Sequence, residues 1–292
     1  MEIVRTVTEL RQRLEPVRAK GRVGLVPTMG AFHEGHLSLM RRARAECTAV
    51  VVSLFVNPAQ FGPHEDLERY PRNLAADCAF AENEGVDLLF APPVDEVYPA
   101  GFRTYVDVEG LTERLCGAER SGHFRGVATV VTKLLCMVLP DRSYFGEKDY
   151  QQLQVIRRLA RDLNLPGEIV SCPIVREPDE LAMSSRNRYL TPAERVSARA
   201  VPRAWQAVRA CFAAGERAPD ALLDVARRVL EAEPGIRVNY VELVDAVDLT
   251  PIARVTAPAL LALAAFVGKT RLIDNTVLCP EQVEAAPEER ST

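Results

Sequence analysis

Two histidines in one short glycine-containing segment are the residues of this sequence best suited to chemistry. His33 and His36 are three positions apart, and Gly30 and Gly35 lie beside them. Glycines let a backbone approach a ligand closely, and the unpaired N–H groups at the start of a helix favour a phosphate. Imidazoles in such a turn can donate hydrogen bonds or a proton to phosphate oxygens. The segment therefore predicts an anion site.

The same segment departs from three other known motifs. Its His-Glu-Gly-His lacks the i, i+4 histidine spacing of a zinc-protease helix, and no nearby cysteine pair completes a tetrahedral zinc site. Gly30 and Gly35 have P-loop spacing, but His36 and Leu37 stand where lysine and a hydroxyl residue belong. The dinucleotide glycine pattern is also absent. We therefore assign no metal-ligand residues.

A strand before this turn and a helix after it would position the histidines. Residues 23–26 form a short apolar run closed by Pro27, and apolar residues recur with helical period after His36. Residues 49–56 form a nearly continuous β-branched run, typical of a buried parallel strand. These elements make a βαβ unit, so we expect an α/β, Rossmann-like parallel sheet with ligands at the carboxyl ends of its strands.

Two further segments offer cations for a polyphosphate. Lys148 follows a short strand and opens a predicted helix, where a lysine opposes the helix dipole and is easier to explain beside an anion. Asp149 and Gln152 lie one turn apart, offering an acceptor and an amide to hydroxyl groups. Residues 183–188 combine two serines with two arginines, whose guanidinium forks suit phosphate. By themselves, the two segments are more typical of an ordinary helix start and a polar loop.

The other elements predicted from periodicity continue the alternation and then change character. In the first part we expect helices at 3–20, capped by Thr6 or Thr8, at 73–84 and at 127–138, and strands at 86–90, 105–108 and 169–175. A capping box at Thr191 opens a smaller α+β region. Its predicted elements are helices to about residue 215 and at 220–232, a strand at 238–244 and a pair of strands around Gly268.

Composition excludes several classes of protein. The 292 residues carry a net charge of −4, and a pI near 5.7 argues against nonspecific nucleic-acid binding. The seven scattered cysteines lack CxxC spacing and are typical of reduced core residues. We find no signal-peptide pattern and no apolar run of the roughly 20 residues that a membrane helix needs. We therefore expect a soluble, cytoplasmic protein that binds neither nucleic acid nor membrane.

Four motifs in order resemble one known family. Pro27-Thr28-Met29-Gly30 followed by His33-Glu34-Gly35-His36 resembles the nucleotide-binding turn of the pantothenate synthetase (pantoate-β-alanine ligase) family, within the HxGH nucleotidylyltransferase superfamily. The motifs that follow in family order are NPAQF at 57–61, GEKDYQQ at 146–152 and MSSRN at 183–187. Residues 268–275 also resemble the family's ending, so the resemblance spans nearly the whole chain.

The resemblance implies an ATP-dependent ligase that joins (R)-pantoate to β-alanine through a pantoyl-adenylate, releasing AMP and pyrophosphate. The implied catalytic residues are His33, His36 and Lys148, with His36 as proton donor. Gln60 and Gln152 are the implied contacts for pantoate and β-alanine. The implied ATP contacts are Met29, Gly30, Ala31, Phe32, His33, Glu34, Gly35, His36, Gly146, Glu147, Lys148, Asp149, Val175, Met183, Ser184, Ser185 and Arg186.

It also implies Mg²⁺ with the ATP, a homodimer, and a division into three segments. These are an ATP- and pantoate-binding domain at 1–174, a smaller lid-like domain at 175–283 and a disordered tail at 284–292. Arg120 and His123 lie in a loop similar to one that the family places near the phosphates. A role for Asp77 in holding Mg²⁺ stays open, and no base for the β-alanine ammonium is assigned.

Two other functions compete with this one. The first is a nucleotidylyltransferase of the same superfamily that acts on a phosphate acceptor; it would need extra cations where Gln60 and Gln152 stand. The second is a nucleotide-binding regulatory module without turnover. Such a module would be expected to lose at least one of His33, His36, Lys148 and Arg186, and all four are present.

Overall fold

The structure is a computed structural model that describes residues 1–63, 65 and 67–280. By internal contacts it divides into two compact units. Of the described residues, the first unit holds those within 1–175 and 183–185, and the second holds 176–182 and 186–280. The predicted tail at 284–292 lies outside the described residues, and the predicted domain boundary after residue 174 stays a prediction.

Six parallel strands form the sheet of the first unit: β1 (Glu2–Val4), β2 (Val23–Thr28), β3 (Ala49–Leu54), β4 (Leu88–Phe90), β5 (Arg142–Gly146) and β6 (Glu168–Cys172). Their order across the sheet is β1-β4-β3-β2-β5-β6. The central strands β2 and β3 are almost entirely buried, as expected for apolar strands covered on both faces. The predicted Rossmann-like parallel sheet is confirmed.

Seven α-helices accompany this sheet in the described part of the first unit. They are α1 (Val7–Arg18), α2 (Glu34–Glu46), α3 (Leu74–Asn83), α4 (Val94–Val97), α5 (Cys116–Glu119), α6 (His123–Val138) and α7 (Tyr150–Asp162). Two 3₁₀ turns, Pro58–Gln60 and Glu147–Asp149, follow β3 and β5. Thr6 and Glu9 form a capping box at α1, which confirms Thr6 as the cap.

The strand order reverses between β2 and β5. From β2 the chain moves outward through β3 and β4 on one side, and later through β5 and β6 on the other. In open parallel sheets ligands bind beyond the carboxyl ends of the strands at such a reversal, because the connecting helices leave a crevice there. β2 ends at Thr28, before the histidine turn, and β5 ends at Gly146, before Lys148. The fold thus brings the two predicted junctions to one crevice.

Several predicted elements need correction. Residues 105–108 form no strand: Val106 donates its backbone N–H to Thr129 Oγ1 instead of to a neighbouring strand. The helix predicted at 3–20 begins only at Val7, because residues 2–4 form β1 and pair with β4. Helix α6 begins at His123, four residues before the predicted start, and β6 ends at Cys172, so Val175 lies beyond it.

The second unit is a three-stranded antiparallel sheet with helices. Its elements are α8 (Pro192–Ala198), α9 (Ala200–Ala213), α10 (Pro219–Glu231), β7 (Ile236–Asp245), β8 (Ala259–Val267) and β9 (Thr270–Leu278), and the strand order is β7-β8-β9. Apolar side chains of α9, α10 and the sheet form its core. The predicted smaller α+β region is confirmed. Within the described ranges, no helix has the length and apolar character to cross a bilayer.

Candidate active site

The turn between β2 and α2 is fixed by a carboxylate from another helix. Asp77, in the first turn of α3, is 2% exposed and accepts hydrogen bonds from the backbone N–H groups of Ala31 (3.0 Å) and Phe32 (2.8 Å). Gly30 and Ala31 both have positive φ, 85° and 54°. For an alanine this costs about 1–2 kcal/mol, which the two hydrogen bonds to a charged group can offset. Asp77 therefore stabilises the turn, a role that sequence analysis had not assigned.

His33 caps the helix that carries His36. Its Nδ1 accepts a hydrogen bond from the backbone N–H of Gly35 at 3.2 Å, so the proton of the neutral ring lies on Nε2. A Cβ added to Gly35 would lie 2.9 Å from His33 Cε1 and 3.0 Å from its Nδ1. The glycine between the two histidines is thus required by the packing of the first ring.

The second histidine of the turn stacks on the first. The ring centroids of His33 and His36 are 4.1 Å apart, with the planes tilted by 41°. His36 Nδ1 is buried and has no hydrogen-bond partner among the residues described. Burial lowers the pKa of His36 to about 3, with further contributions from His33 and Lys148. His36 is therefore neutral near pH 7.

The second junction lies close enough to act on His36 electrostatically. The charge of Lys148 lowers the pKa of His36, and that of Asp149 raises it. Lys148 is mostly buried, with Nζ 3.6 Å from Asp149 Oδ2. A Cβ added to Gly146 would meet no described atom within 4 Å, so this glycine borders open space. The two histidines and Lys148 therefore lie at the carboxyl ends of β2 and β5, beside the open space at Gly146.

Gln60 lies beyond the end of β3, the neighbour of β2. Its side chain is held at both ends: Oε1 accepts from Asn57 Nδ2 at 3.0 Å, and Nε2 donates to Met29 Sδ at 3.3 Å. Met29 belongs to the histidine turn, so Gln60 is in contact with that turn. The structure thus brings together the predicted substrate residue and the predicted nucleotide turn.

Arg120 and His123 both contact the backbone carbonyl oxygen of Gln60. His123 Nδ1 lies 2.8 Å from the Gln60 carbonyl oxygen, which can only accept, so Nδ1 carries the proton and donates. Arg120 donates to His123 Nε2 at 2.9 Å and forms a two-pronged ion pair with Glu65. Burial, with the charge of Arg120, lowers the pKa of His123 to about 4. Both residues therefore support the backbone of Gln60.

The two adjacent glutamines of α7 have different surroundings. Gln151 is buried: its Oε1 accepts from Cys116 N at 3.0 Å, and its Nε2 donates to the carbonyl oxygens of Leu111 and Arg114, both at 2.8 Å. Gln152, the predicted substrate contact, is half-buried beside it. Gln151 therefore orders the 111–116 loop, a role that its sequence position alone did not reveal.

The remaining predicted ATP contacts divide between the two units. In the first unit, Met183 donates its backbone N–H to the Val175 carbonyl at 2.9 Å, which brings Val175 next to the serine-containing motif. Ser184 and Ser185 follow in the same unit and are half-buried. Arg186 is the first residue of the chain's return to the second unit.

Comparisons with known proteins agree on one family. A sequence model of the pantoate-β-alanine ligase family matches residues 2–277. A pantothenate synthetase of Roseiflexus sp. (strain RS-1) is 57% identical over 278 residues, covering 95% of this chain and 99% of the relative. The structure superimposes on pantothenate synthetase from Thermus thermophilus with a TM-score of 0.90 at 50% identity, covering 94% and 99% of the two chains. Pantoate-β-alanine ligase from Francisella tularensis, complexed with beta-gamma ATP and β-alanine, gives a TM-score of 0.78 at 31% identity and covers 99% and 100%.

Proposed function

The chain belongs to the pantoate-β-alanine ligase family, and from this premise we propose how its site joins (R)-pantoate to β-alanine with ATP. The activity is that of an AMP-forming acid-amine ligase. The observation that carries the assignment of the site is the convergence of His36 and Lys148 at the strand-order reversal, with Gln60 against the same turn. The neutral amide of Gln60 suits a carboxylate with hydroxyl groups better than a phosphate acceptor.

The chemistry requires two steps in one pocket. A carboxylate oxygen of pantoate attacks the α-phosphorus of ATP, the bond from that phosphorus to the bridging oxygen breaks, and pyrophosphate leaves. The amine nitrogen of β-alanine then attacks the acyl carbon of pantoyl-adenylate, AMP leaves, and the nitrogen gives up a proton. Activation is needed because a carboxylate is a poor acyl electrophile. Holding the reactants in register supplies several kcal/mol in such reactions.

The first step builds negative charge on the departing pyrophosphate. Lys148 and the Nε2–H of His33 would stabilise that charge, since fixed donors in a site with little water stabilise it strongly. The triphosphate would also raise the pKa of His36 above its value in the unliganded protein, because a neighbouring anion favours the imidazolium. His36 would then act as the proton donor.

The remaining roles rest on the family motifs. The histidine turn (residues 29–36) and the second junction (residues 146–149) would contact ATP through their backbone N–H groups. Val175 would line the adenine pocket, and Ser184 and Ser185 would bind phosphate oxygens. For Arg186 the proposal rests on the sequence motif alone. Gln60 and Gln152 would orient pantoate and β-alanine.

We also propose Mg²⁺ as the ion that accompanies ATP. Mg²⁺ keeps several waters and usually binds substrate phosphates with one or two carboxylates. Asp149, half exposed beside Lys148, fits that requirement, whereas both Asp77 oxygens already accept backbone hydrogen bonds. The ion would neutralise part of the triphosphate charge.

The same family resemblance supports a homodimer and a cytoplasmic location. The seven cysteines all lie in the described part of the chain, and none forms a disulfide. Reduced thiols are typical of the cytosol.

ATP-pyrophosphate exchange tests the function. Labelled pyrophosphate should enter ATP only when pantoate and Mg²⁺ are present, because exchange requires reversible formation of pantoyl-adenylate. Exchange that is independent of pantoate would overturn the proposal. Exchange driven by a phosphate acceptor instead would favour the related nucleotidylyltransferase activity.

A further inference from the structure

A hydrogen-bonded chain of three side chains leads to the tip of Gln60. The Tyr98 hydroxyl donates to Asn57 Oδ1 at 2.8 Å, and Asn57 Nδ2 donates to Gln60 Oε1 at 3.0 Å. Asn57 is 1% exposed and Gln60 is 9% exposed. Buried hydrogen bonds of this kind are expensive to leave unmade, so the three groups are coupled in orientation.

Two backbone groups, each with a single hydrogen-bonding role, identify which way the Asn57 amide is turned. The Gly126 carbonyl oxygen, 3.1 Å away, can only accept, so the atom facing it must be Nδ2. The Ala59 N–H, 3.3 Å away, can only donate, so the atom facing it must be Oδ1. The Tyr98 hydroxyl adds a second donor to that oxygen at a shorter distance. If the Asn57 amide were flipped, its NH₂ group would face the donors of Ala59 and Tyr98, and its oxygen would face the Gly126 carbonyl oxygen.

The orientation of Gln60 follows from that of Asn57. Because Asn57 presents its Nδ2, the Gln60 atom that faces it must be the acceptor Oε1. The Nε2 group is therefore directed away from Asn57, toward Met29, where its acceptor is a thioether sulfur at 3.3 Å. A thioether is a weak acceptor, which an oxygen of a bound substrate would outcompete. Gln60 thus offers the site an N–H donor.

The Tyr98 ring is held in place independently of its hydroxyl. It lies at the end of α4, with ring centroids 6.2 Å from Phe55 and 5.1 Å from Phe102. Burial raises the pKa of Tyr98 to about 12, so the hydroxyl keeps its proton and remains a donor. Phenylalanine at this position would keep the aromatic contacts and remove only the hydrogen bond.

We propose that Tyr98 is a positioning residue for pantoate: acting through Asn57, its hydroxyl holds the Gln60 amide with N–H toward the substrate. The site therefore selects an acceptor oxygen, hydroxyl or carboxylate, at this point of the substrate. The inference rests on the proposed contact between Gln60 and pantoate.

The hydroxyl is tested with Tyr98→Phe in the purified full-length protein. We expect the KM for pantoate to rise about five-fold, the effect of losing one neutral hydrogen bond, while the KM for ATP stays unchanged. Tyr105→Phe is the matched control. Tyr105 contacts Phe102 edge to face, with ring centroids 5.4 Å apart, and is 46% exposed; its hydroxyl lies outside the hydrogen-bonded chain described above. Its pantoate KM should equal that of the wild type.

A double-mutant cycle separates positioning from a general packing effect. If Tyr98 acts through Gln60, Tyr98→Phe has no further effect on the pantoate KM in a Gln60→Ala background. If Tyr98→Phe raises the pantoate KM equally in the wild-type and Gln60→Ala backgrounds, the inference is overturned and the proposed function is left intact. An unchanged pantoate KM for Gln60→Ala alone would overturn the proposed contact itself, and the inference with it.

Discussion

The Asp77 carboxylate accepts a hydrogen bond from the backbone N–H of Phe32 at 2.8 Å, across 45 positions of sequence. Its other oxygen accepts from the preceding amide of the same turn, that of Ala31, at 3.0 Å. One buried side chain therefore fixes the backbone of the proposed phosphate-binding turn. The turn's geometry depends on α3 as well as on the strand and helix that it joins.

We expect Asp77→Asn to weaken this turn. The amide retains one acceptor but sets an NH₂ group against a backbone N–H, so the free energy of unfolding should fall by about 2 kcal/mol. The KM for ATP should rise as well, because the turn's amides lose their alignment. Urea unfolding and steady-state kinetics measure the two effects. Glu82→Gln on the same helix is the control: it removes an exposed carboxylate and should change the free energy of unfolding by less than about 0.5 kcal/mol. If both variants lost the same free energy of unfolding, the role assigned to Asp77 would be contradicted.

The histidine turn could be predicted because its signals are local. An apolar run, glycines and helical periodicity follow one another within a few residues, and periodicity reports on strands and helices directly. The role of Asp77 could not be predicted, because its partners lie 45 and 46 positions away and leave no pattern around it. The network around Asn57 was missed for the same reason, although an Asn-Pro pair already indicates a turn.

The wrong strand and the missed strand share a cause. Tyr105 and Val106 have strand-favouring side chains, but a strand also needs a partner, and the Val106 N–H bonds to a threonine hydroxyl instead. Conversely, β1 has only three residues and is a strand because it pairs with β4, far along the chain. Pairing of this kind is a tertiary property that local propensity does not carry.

His36 is expected to matter for adenylation rather than for folding. His36→Ala should lower the single-turnover rate of pantoyl-adenylate formation by roughly 100- to 10,000-fold, the range for a proton donor or a charge-stabilising group. The circular dichroism spectrum should match that of the wild type. Ser38→Ala is the control on the same helix, since its hydroxyl donates back to the Gly35 carbonyl one turn earlier. A full adenylation rate in His36→Ala would remove its proposed role.

Gln151 and Gln152, the two adjacent glutamines of α7, should give opposite results when each is changed to alanine. Gln151→Ala removes the three hydrogen bonds of a buried side chain and should lower the free energy of unfolding by about 2–3 kcal/mol. Gln152→Ala should change stability by less than about 0.5 kcal/mol and raise the KM for pantoate. Denaturant unfolding and pantoate titration of the same two preparations distinguish them. A pantoate effect confined to Gln151→Ala would reverse the assignment.

His123 should make stability depend on pH. Its pKa is lowered from 6.5 to about 4, first by burial and then by the charge of Arg120. As pH falls below 6.5, the unfolded chain takes up the proton first, so the free energy of unfolding falls until about pH 4; above 6.5 the full stability is present. The whole range corresponds to roughly 3 kcal/mol, and about 2 kcal/mol of it is lost by pH 5.

The variant His123→Asn tests this pH dependence, because it keeps a donor near the position of Nδ1 and does not titrate. Urea unfolding at about pH 7.5 and about pH 5 measures how much the free energy of unfolding decreases between them. That decrease should be smaller for the variant than for the wild type, by about 2 kcal/mol. Equal decreases would mean that His123 is not held neutral against the Gln60 carbonyl.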